Sequence, residues 1–297
     1  EGGETCNTFI DLLDYEEIKK HPKILLGYSD ITVLLQAIYK KTGLITFSGP
    51  DFLSFGLDYA EEQYKVFIDA GHGGWDPGGG SNSYFKEKDM TKKISDYQKR
   101  RFDELGIPSK RTRLDDETLT PNDRLNRIDQ LGASTGDILI SNHVNNAGAG
   151  GGEVIYSVKS KNTLPKSIAN NLKAEGLPIR NVYQRIGKSG NDFYFILRNT
   201  KPTTSMIIEY GFANNDDDTK RLLNDWPNLA EAVVKAIANY ENVNYTPPSY
   251  NYYKVKSGDS LYNIAKKYNL SVAELKSYNT LSNDMLYPNQ ILLIPKK

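Results

Sequence analysis

Tyr64-Lys-Val-Phe-Ile-Asp-Ala-Gly-His72-Gly-Gly74 joins an aromatic and β-branched run to a glycine-flanked histidine, and Asp137-Ile-Leu-Ile-Ser-Asn-His143 repeats the plan further along the chain. Each reads as a strand, Val66 to Ala70 and Asp137 to Ser141, that delivers a histidine two residues past its end. Two further apolar runs, Glu153 to Ser157 and Ser205 to Glu209, also read as strands. Between them lie helical patterns near Met90 to Leu105, Pro121 to Leu131, Ser167 to Glu175 and Asp218 to Leu223. Strands alternating with helices predict an α/β fold whose mostly parallel sheet is flanked by helices. In such sheets functional residues gather at the carboxyl ends of strands, so both histidines fall where a site belongs.

Histidine is scarce: His21, His72 and His143 are the only three in 297 residues. A single cysteine, Cys6, excludes an intramolecular disulfide and a multi-cysteine zinc cluster. With 37 basic residues against 37 acidic ones, no overall field announces nucleic acid or a membrane surface as partner. No apolar run approaches the roughly 18 residues of a membrane-spanning helix, so membrane insertion is not expected. The opening Glu1-Gly2-Gly3 carries no basic-then-apolar leader, and localisation is therefore expected to follow from the substrate.

Composition shifts divide the chain. The polar, proline-containing Tyr245-Thr-Pro-Pro-Ser-Tyr-Asn251 follows a helical pattern from Leu229 to Tyr240 and reads as a linker. A softer break falls near residue 58. The expected pieces are residues 1–57, a central domain 58–244, a linker 245–251 and a small C-terminal module 252–297. Five basic residues against eight acidic in the first piece, and seven against three in the last, show that the neutral total conceals a basic tail.

Glycine on both sides of His72 allows close backbone approach. Glu87 sits in Lys86-Glu-Lys88 just ahead of the Met90 helix, and Glu209 ends an apolar strand before Tyr210-Gly-Phe212. Two imidazoles and one carboxylate leave zinc a fourth position open to water, the arrangement of a hydrolytic site. Such a site needs a further carboxylate as proton shuttle, for which Glu209 is the candidate. Glu61, Glu62 and Asp89 are alternatives to Glu87 as the acidic ligand, and a glutamate is by default a solvated surface charge. The glycine-rich stretches 71–80 and 148–152 spell no phosphate-binding pattern.

Four blocks in order, Asp69-Ala-Gly-His72-Gly-Gly74, Lys86-Glu87-Lys88, Ser141-Asn-His143-Val-Asn145 and Ile208-Glu209-Tyr-Gly-Phe-Ala-Asn214, resemble the signature of the zinc-dependent N-acetylmuramoyl-L-alanine amidases. The resemblance covers residues 64–240. It implies one zinc ion held by His72, Glu87 and His143, with Glu209 as the catalytic carboxylate. It also implies peptidoglycan as substrate, cut between N-acetylmuramic acid and L-alanine, in an extracellular autolysin or endolysin. Arg124 fits a family helix in which Asp129 stands where asparagine is common; Arg124 and Asn145 are expected beside the ligands.

Residues 252–297 read strand, helix, helix, strand, with Ser271 and Glu274 in capping-box spacing. Tyr253-Lys-Val-Lys-Ser-Gly-Asp-Ser-Leu-Tyr-Asn-Ile-Ala265, Asn279 and Tyr287-Pro-Asn-Gln-Ile-Leu-Leu-Ile-Pro295 are similar to a LysM domain. That likeness implies binding of glycans containing N-acetylglucosamine by Gly258, Asp259, Ser260, Leu261, Leu286, Tyr287, Pro288 and Asn289.

Leu25-Leu-Gly-Tyr-Ser29-Asp30, followed by the apolar pattern Ile31 to Tyr39, has the strand, turn and helix of a nucleophile elbow, with Ile31 in place of the final glycine. Together with Leu13-Asp-Tyr15 and Thr42 to Pro50 it resembles the start of the LD-carboxypeptidases, which are serine peptidases. A nucleophilic serine needs a base within reach, and only His21 is unclaimed, so Ser29 is expected to be a silent remnant. Two other function classes stay open at this stage: a glycan-binding protein without catalysis, and a serine LD-carboxypeptidase acting through Ser29.

Overall fold

The computed structural model describes residues 12–20, 26–27, 31–43, 47–48, 66–279, 281 and 283–296. Ser29, Cys6 and His21 lie outside the described residues, and with Ser29 the expected elbow. Two compact units divide the chain, Glu1–Gln63 and Tyr64–Lys297. In the first, helix α1 (Tyr15–Lys20) precedes strand β1 (Leu26–Gly27), helix α2 (Ile31–Thr42) and strand β2 (Phe47–Ser48). Strands β1 and β2 pair in parallel, Leu26 with Phe47, so α2 is the crossover that parallel pairing requires. Leu35 and Ile38, one helical turn apart, are buried apolar side chains of α2.

The second unit opens with β3 (Val66–Ala70), α3 (Glu87–Glu104), β4 (Ser109–Arg111) and α4 (Pro121–Gln130). It continues with β5 (Ile138–Asn145), β6 (Gly152–Tyr156), α5 (Thr163–Ala174) and β7 (Ile179–Tyr183). Then come α6 (Phe195–Arg198), β8 (Thr204–Phe212), α7 (Asp216–Asn224) and α8 (Trp226–Tyr240). Six strands form one sheet in the order β4-β3-β5-β8-β6-β7. All neighbours run parallel except β6 against β8. The sheet is mostly parallel, as the strand and helix pattern predicts.

Side-chain alternation builds two layers. Val66, Ile68, Ile138, Ile140, Met206 and Ile208 point to one face and enter the larger core with residues of α3, α5 and α8. Phe67, Leu139, Ile207 and Ile155 point to the other and pack with Ile128, Ile196 and Leu197 from the α4 and α6 side. Continuing the second row along the strands gives Asp69, Ser141, His143 and Glu209. One face is thus apolar at the amino ends of its parallel strands and polar at their carboxyl ends. Helix α4 starts where Thr120 and Asp123 cap one another reciprocally, at 3.1 and 3.2 Å, with proline first in the helix.

The structure moves several expected boundaries. Strand β5 runs through His143 rather than ending at Ser141, Glu209 lies inside β8, and α3 begins at Glu87 itself. Edge strands β4 and β7 are additional; Ser109-Lys-Arg111 and Ile179-Arg-Asn-Val-Tyr183 lack an uninterrupted apolar run because an edge strand needs none.

Strand β9 (Tyr250–Lys254), helices α9 (Leu261–Lys267) and α10 (Val272–Asn279), and strand β10 (Ile291–Pro295) complete the chain. Strands β9 and β10 pair antiparallel. Capping follows the sequence: the Ser271 side chain accepts the Glu274 N–H at 3.1 Å and the Glu274 side chain accepts the Ser271 N–H at 2.6 Å. On β10 the alternation divides again. Leu292 and Ile294 join Val255, Leu261, Ile264 and Leu275 in a small core, while Ile291 and Leu293 turn outward and enter the large core with Tyr250. Among the described residues no helix is long and apolar enough to cross a membrane.

Candidate metal centre

Gly71 follows β3 and is held by its N–H to the Asn142 carbonyl at 3.1 Å. A methyl group at Gly71 would lie 2.4 Å from Cε1 of His143, so only glycine lets the His72 loop pass the second imidazole. His72 itself adopts φ 62°, a left-handed conformation that costs a non-glycine residue roughly 1–3 kcal/mol. Its neighbours hold it there. Gly73 and Asp76 bridge, Arg124 donates to the carbonyls of Ala70 at 2.8 Å and His72 at 3.0 Å, and Lys88 Nζ grips the Gly74 carbonyl at 2.7 Å.

Three side chains converge at this corner. Ligating atoms of His72, Glu87 and His143 all lie within 4.8 Å of one another. Nε2 of His72 is 3.2 Å from Glu87 Oε2, and Nδ1 of His143 is 3.1 Å from Glu87 Oε1. Glu87, 1% exposed and first in α3, also accepts backbone N–H groups from Gly80 at 2.8 Å and Val144 at 2.9 Å. A helix N-terminus and two backbone donors fix a buried carboxylate in its charged form. Gly78, at φ 87°, approaches so closely that a Cβ would meet Glu87 Oε2 at 2.4 Å.

Asp76 adds an outer contact: its Oδ2 lies 2.6 Å from Nδ1 of His72. With Nδ1 so engaged, Nε2 is the nitrogen that faces the cluster, and the ring is oriented by a carboxylate in the manner common around metal-bound histidines. Burial disfavours charge on His72, but Glu87 and Asp76 outweigh it and push the imidazole up to about 9. Glu87 is held well below the usual carboxylate range, its burial cost overcome by both histidines. A corner that raises an imidazole's affinity for a proton favours a cation at the same lone pair.

Glu209 stands beside His143 in the β5–β8 register and beside Glu153 in the β8–β6 register. Burial pushes its carboxyl up to about 7; the charge of His143 opposes, and those of Glu87 and Glu153 add. Its Oε2 is buried without a hydrogen-bond partner among the described residues. His72, His143 and Glu209 open onto a pocket of about 180 Å³, whose far wall comes from Leu119, Pro121, Tyr194 and Phe195. Beneath it, buried Asp69 accepts from Ser141 and Thr112, both at 2.6 Å, and pairs with Arg124.

His72, Glu87, His143 and Glu209 are therefore brought to one corner, and Arg124 reaches it through the Asp69 carboxylate and the loop backbone. Asn145 lies one step further out, with Nδ2 3.3 Å from Glu153 Oε2. Sequence reasoning missed Asp76 and Glu153. Asp76 had a signal, a carboxylate four residues after a ligand candidate in a tight glycine loop; Glu153 had none, because its neighbour depends on antiparallel pairing with β8. In the C-terminal module, Gly258 at φ 87° and Asp259, accepting from Lys256 N at 2.7 Å and Tyr253 at 2.8 Å, build the first turn. Ser260 caps α9 through the Asn263 N–H at 3.2 Å. Leu261, among the expected sugar contacts, is 3% exposed and packs inside the module. Leu286 packs partly against the same core, whereas Tyr287, 62% exposed, Pro288 and Asn289 remain at the surface.

Fold and site together define a mostly parallel α/β domain with a candidate metal centre at the carboxyl edge of its sheet. The family model for N-acetylmuramoyl-L-alanine amidase matches residues 66–239, more than half of the chain, and the chain belongs to that family. A LysM domain matches residues 253–295, and the LD-carboxypeptidase N-terminal domain matches residues 1–49. An N-acetylmuramoyl-L-alanine amidase from Clostridium difficile 630 is similar in structure, with TM-score 0.51 and 26% identity over 60% of this chain and 97% of that one. "Uncharacterized protein YqiI" of Bacillus subtilis is 30% identical over 183 residues, 60% of this chain and 85% of that one. "Putative carboxypeptidase YocD" of the same species is 60% identical over 67 residues, and the chain spans only 21% of its length.

Proposed function

We propose that this chain is a zinc-dependent hydrolase of peptidoglycan that cuts the amide between the lactyl group of N-acetylmuramic acid and L-alanine, held on the wall by its LysM domain. The observation that carries the reading is the convergence of two imidazoles and a carboxylate within 4.8 Å, beside a buried glutamate oxygen that lacks a partner among the described residues. Imidazole nitrogens and a carboxylate suit zinc, and three protein ligands leave it open to a further one. His72, Glu87 and His143 would hold the ion, which when bound polarises the scissile carbonyl and acidifies water.

The remaining work falls to the chain's own residues. Glu209, held near neutrality in its proton affinity, takes the proton of the attacking water and passes it to the leaving nitrogen, freeing a lactyl carboxylate and an alanine amine. Asp76 orients His72, and Arg124 holds the loop carbonyl behind it. In the LysM domain, Gly258, Asp259, Ser260, Leu286, Tyr287, Pro288 and Asn289 are the proposed glycan surface. An exported wall enzyme, autolysin or endolysin, fits this substrate. Ser29 remains without an assigned base, and we assign it no catalytic role.

The test is the product. Purified protein with zinc releases new L-alanine amino termini from peptidoglycan without new reducing ends. Reducing ends without amino termini would overturn the assignment.

A further inference from the structure

A second cleft lies away from the metal corner, where the C-terminal module meets the large core. Its volume is about 270 Å³, and its walls come from one flank of α3, from Trp226 at the start of α8, and from α10 and β10. Two of its buried donors have no partner among the described residues: Nε1 of Trp226, a side chain 4% exposed, and Nε of Arg100. Both groups can only donate, and buried donors are normally satisfied. Lys93 Nζ sits 5.6 Å from the centroid of the Trp226 ring; burial disfavours its charge and the nearby Asp89 carboxylate supports it. Asp96, by contrast, is spent on Lys92 at 2.7 Å and on Arg111. Charged groups in the lining are Asp89, Lys92, Lys93, Asp96 and Arg100, three cations against two carboxylates. Tyr97, Trp226 and Tyr278 also line it, with Lys93 over the Trp226 ring and Arg100 over those of Tyr97 and Tyr278, and Leu281 and Leu293 add apolar side chains.

Unpaired donors, one more cation than carboxylates, and aromatic and aliphatic side chains in one concavity fit a ligand with acceptor oxygens, a negative charge and an apolar ring face. The geometry points to a second saccharide site at this junction, specific for peptide-free glycan whose muramic acid carries a free lactyl carboxylate. The inference rests on the proposed amidase reading, because that carboxylate is what the reaction uncovers. The volume lies just below the roughly 300–1,000 Å³ of small-molecule sites and suits a single sugar ring. A site of this kind keeps the enzyme on a strand it has already stripped, one module away from the next uncut stem.

The test uses the full chain carrying Glu209→Gln, so that nothing turns over. Calorimetric titration compares a peptide-free tetrasaccharide of alternating N-acetylglucosamine and N-acetylmuramic acid with neutral chitotetraose. Lys93→Glu, and Trp226→Phe, which keeps a ring and removes the donor, are expected to weaken the muramic saccharide about tenfold or more and to leave chitotetraose unchanged. In a Trp75→Phe background Trp226 is the sole tryptophan of the chain, and its emission shifts with the muramic saccharide alone. Affinity for the muramic saccharide within twofold of the parent in both variants, equal weakening of both sugars, or a silent Trp226 would overturn the proposal. Binding without amidase products in the parent chain sinks the amidase reading and spares the site; products without cleft binding do the reverse.

Discussion

At the carboxyl edge of the sheet, the His72 corner ties its imidazoles and the Glu87 carboxylate to partners and leaves the buried Oε2 of Glu209 without one among the described residues. At the junction the pairing is equally dense one layer deeper. Arg101 grips Glu231 through two hydrogen bonds, at 2.9 and 3.0 Å, and Tyr97 and Tyr245 donate to the same carboxylate at 3.0 and 2.9 Å. Arg101 also donates to the Thr246 carbonyl at 2.6 Å, so the segment after α8 is tied down where the sequence reads as a linker. The difference lies in what is left over: an acid at the edge, donors at the cleft. Chemistry that moves protons needs the first; recognition of an anion needs the second.

Glu209→Gln separates the two regions most sharply. It is expected to lower amide hydrolysis about 10³-fold, within the usual range for general acid–base groups, while metal content by elemental analysis and saccharide affinity stay unchanged. Retained activity would place the proton shuttle elsewhere. Glu231→Gln is the converse change, stripping buried Arg101 of its two-point partner. Breaking such a pair costs about 3 kcal/mol or more, read as an earlier urea midpoint, with metal affinity preserved.

A third expectation uses proton linkage. Glu209 rises from 4.5 to about 7 in the folded chain, so the native state binds the extra proton. In chelated protein the resulting penalty is absent below pH 4.5, grows as pH rises, and is complete above pH 7. Glu209→Gln removes it, so the variant should gain on the parent by up to about 3 kcal/mol across that window in denaturant titrations. Equal curves for the two proteins would contradict the burial argument. The smallest effect is expected at Asp76→Asn, which releases the His72 ring; zinc affinity should fall about 10- to 100-fold in competition with a chromogenic chelator, with the folded state intact.

Where residue identity is dictated by chemistry, the sequence is readable. Only a handful of side chains can sit in the edge cluster, and His72, His143 and Glu209 stand out by type and by their place at or just after apolar strand runs, whereas Glu87 is separated from Glu61, Glu62 and Asp89 only by the family motif. The uninterrupted apolar run Val66-Phe67-Ile68 likewise announces a strand buried on both faces. Where identity is dictated by packing, nothing marks the residue. Trp226, Arg100 and Tyr278 carry no motif, and their meeting depends on how β9 and β10 seat against α3 and α8. The antiparallel course of β6, and with it the Glu153–Glu209 neighbourhood, is equally silent, because a strand's own pattern does not state the direction of its partner.

Strand β5 carries Leu139 and His143 on one face while Asn142 turns to the other, where its Nδ2 donates to Ser95 at 3.0 Å and Gln98 at 2.8 Å. The strand therefore has no tolerance for frame. Adding a single residue between Ile140 and Asn142 would hand the imidazole to the α3 side and swing an amide into the pocket. Adding two would restore the face but carry His143 about 7 Å past Glu87. Any length variation that spares this site has to occur outside the strand, in the turn before Ile138 or the loop after Asn145.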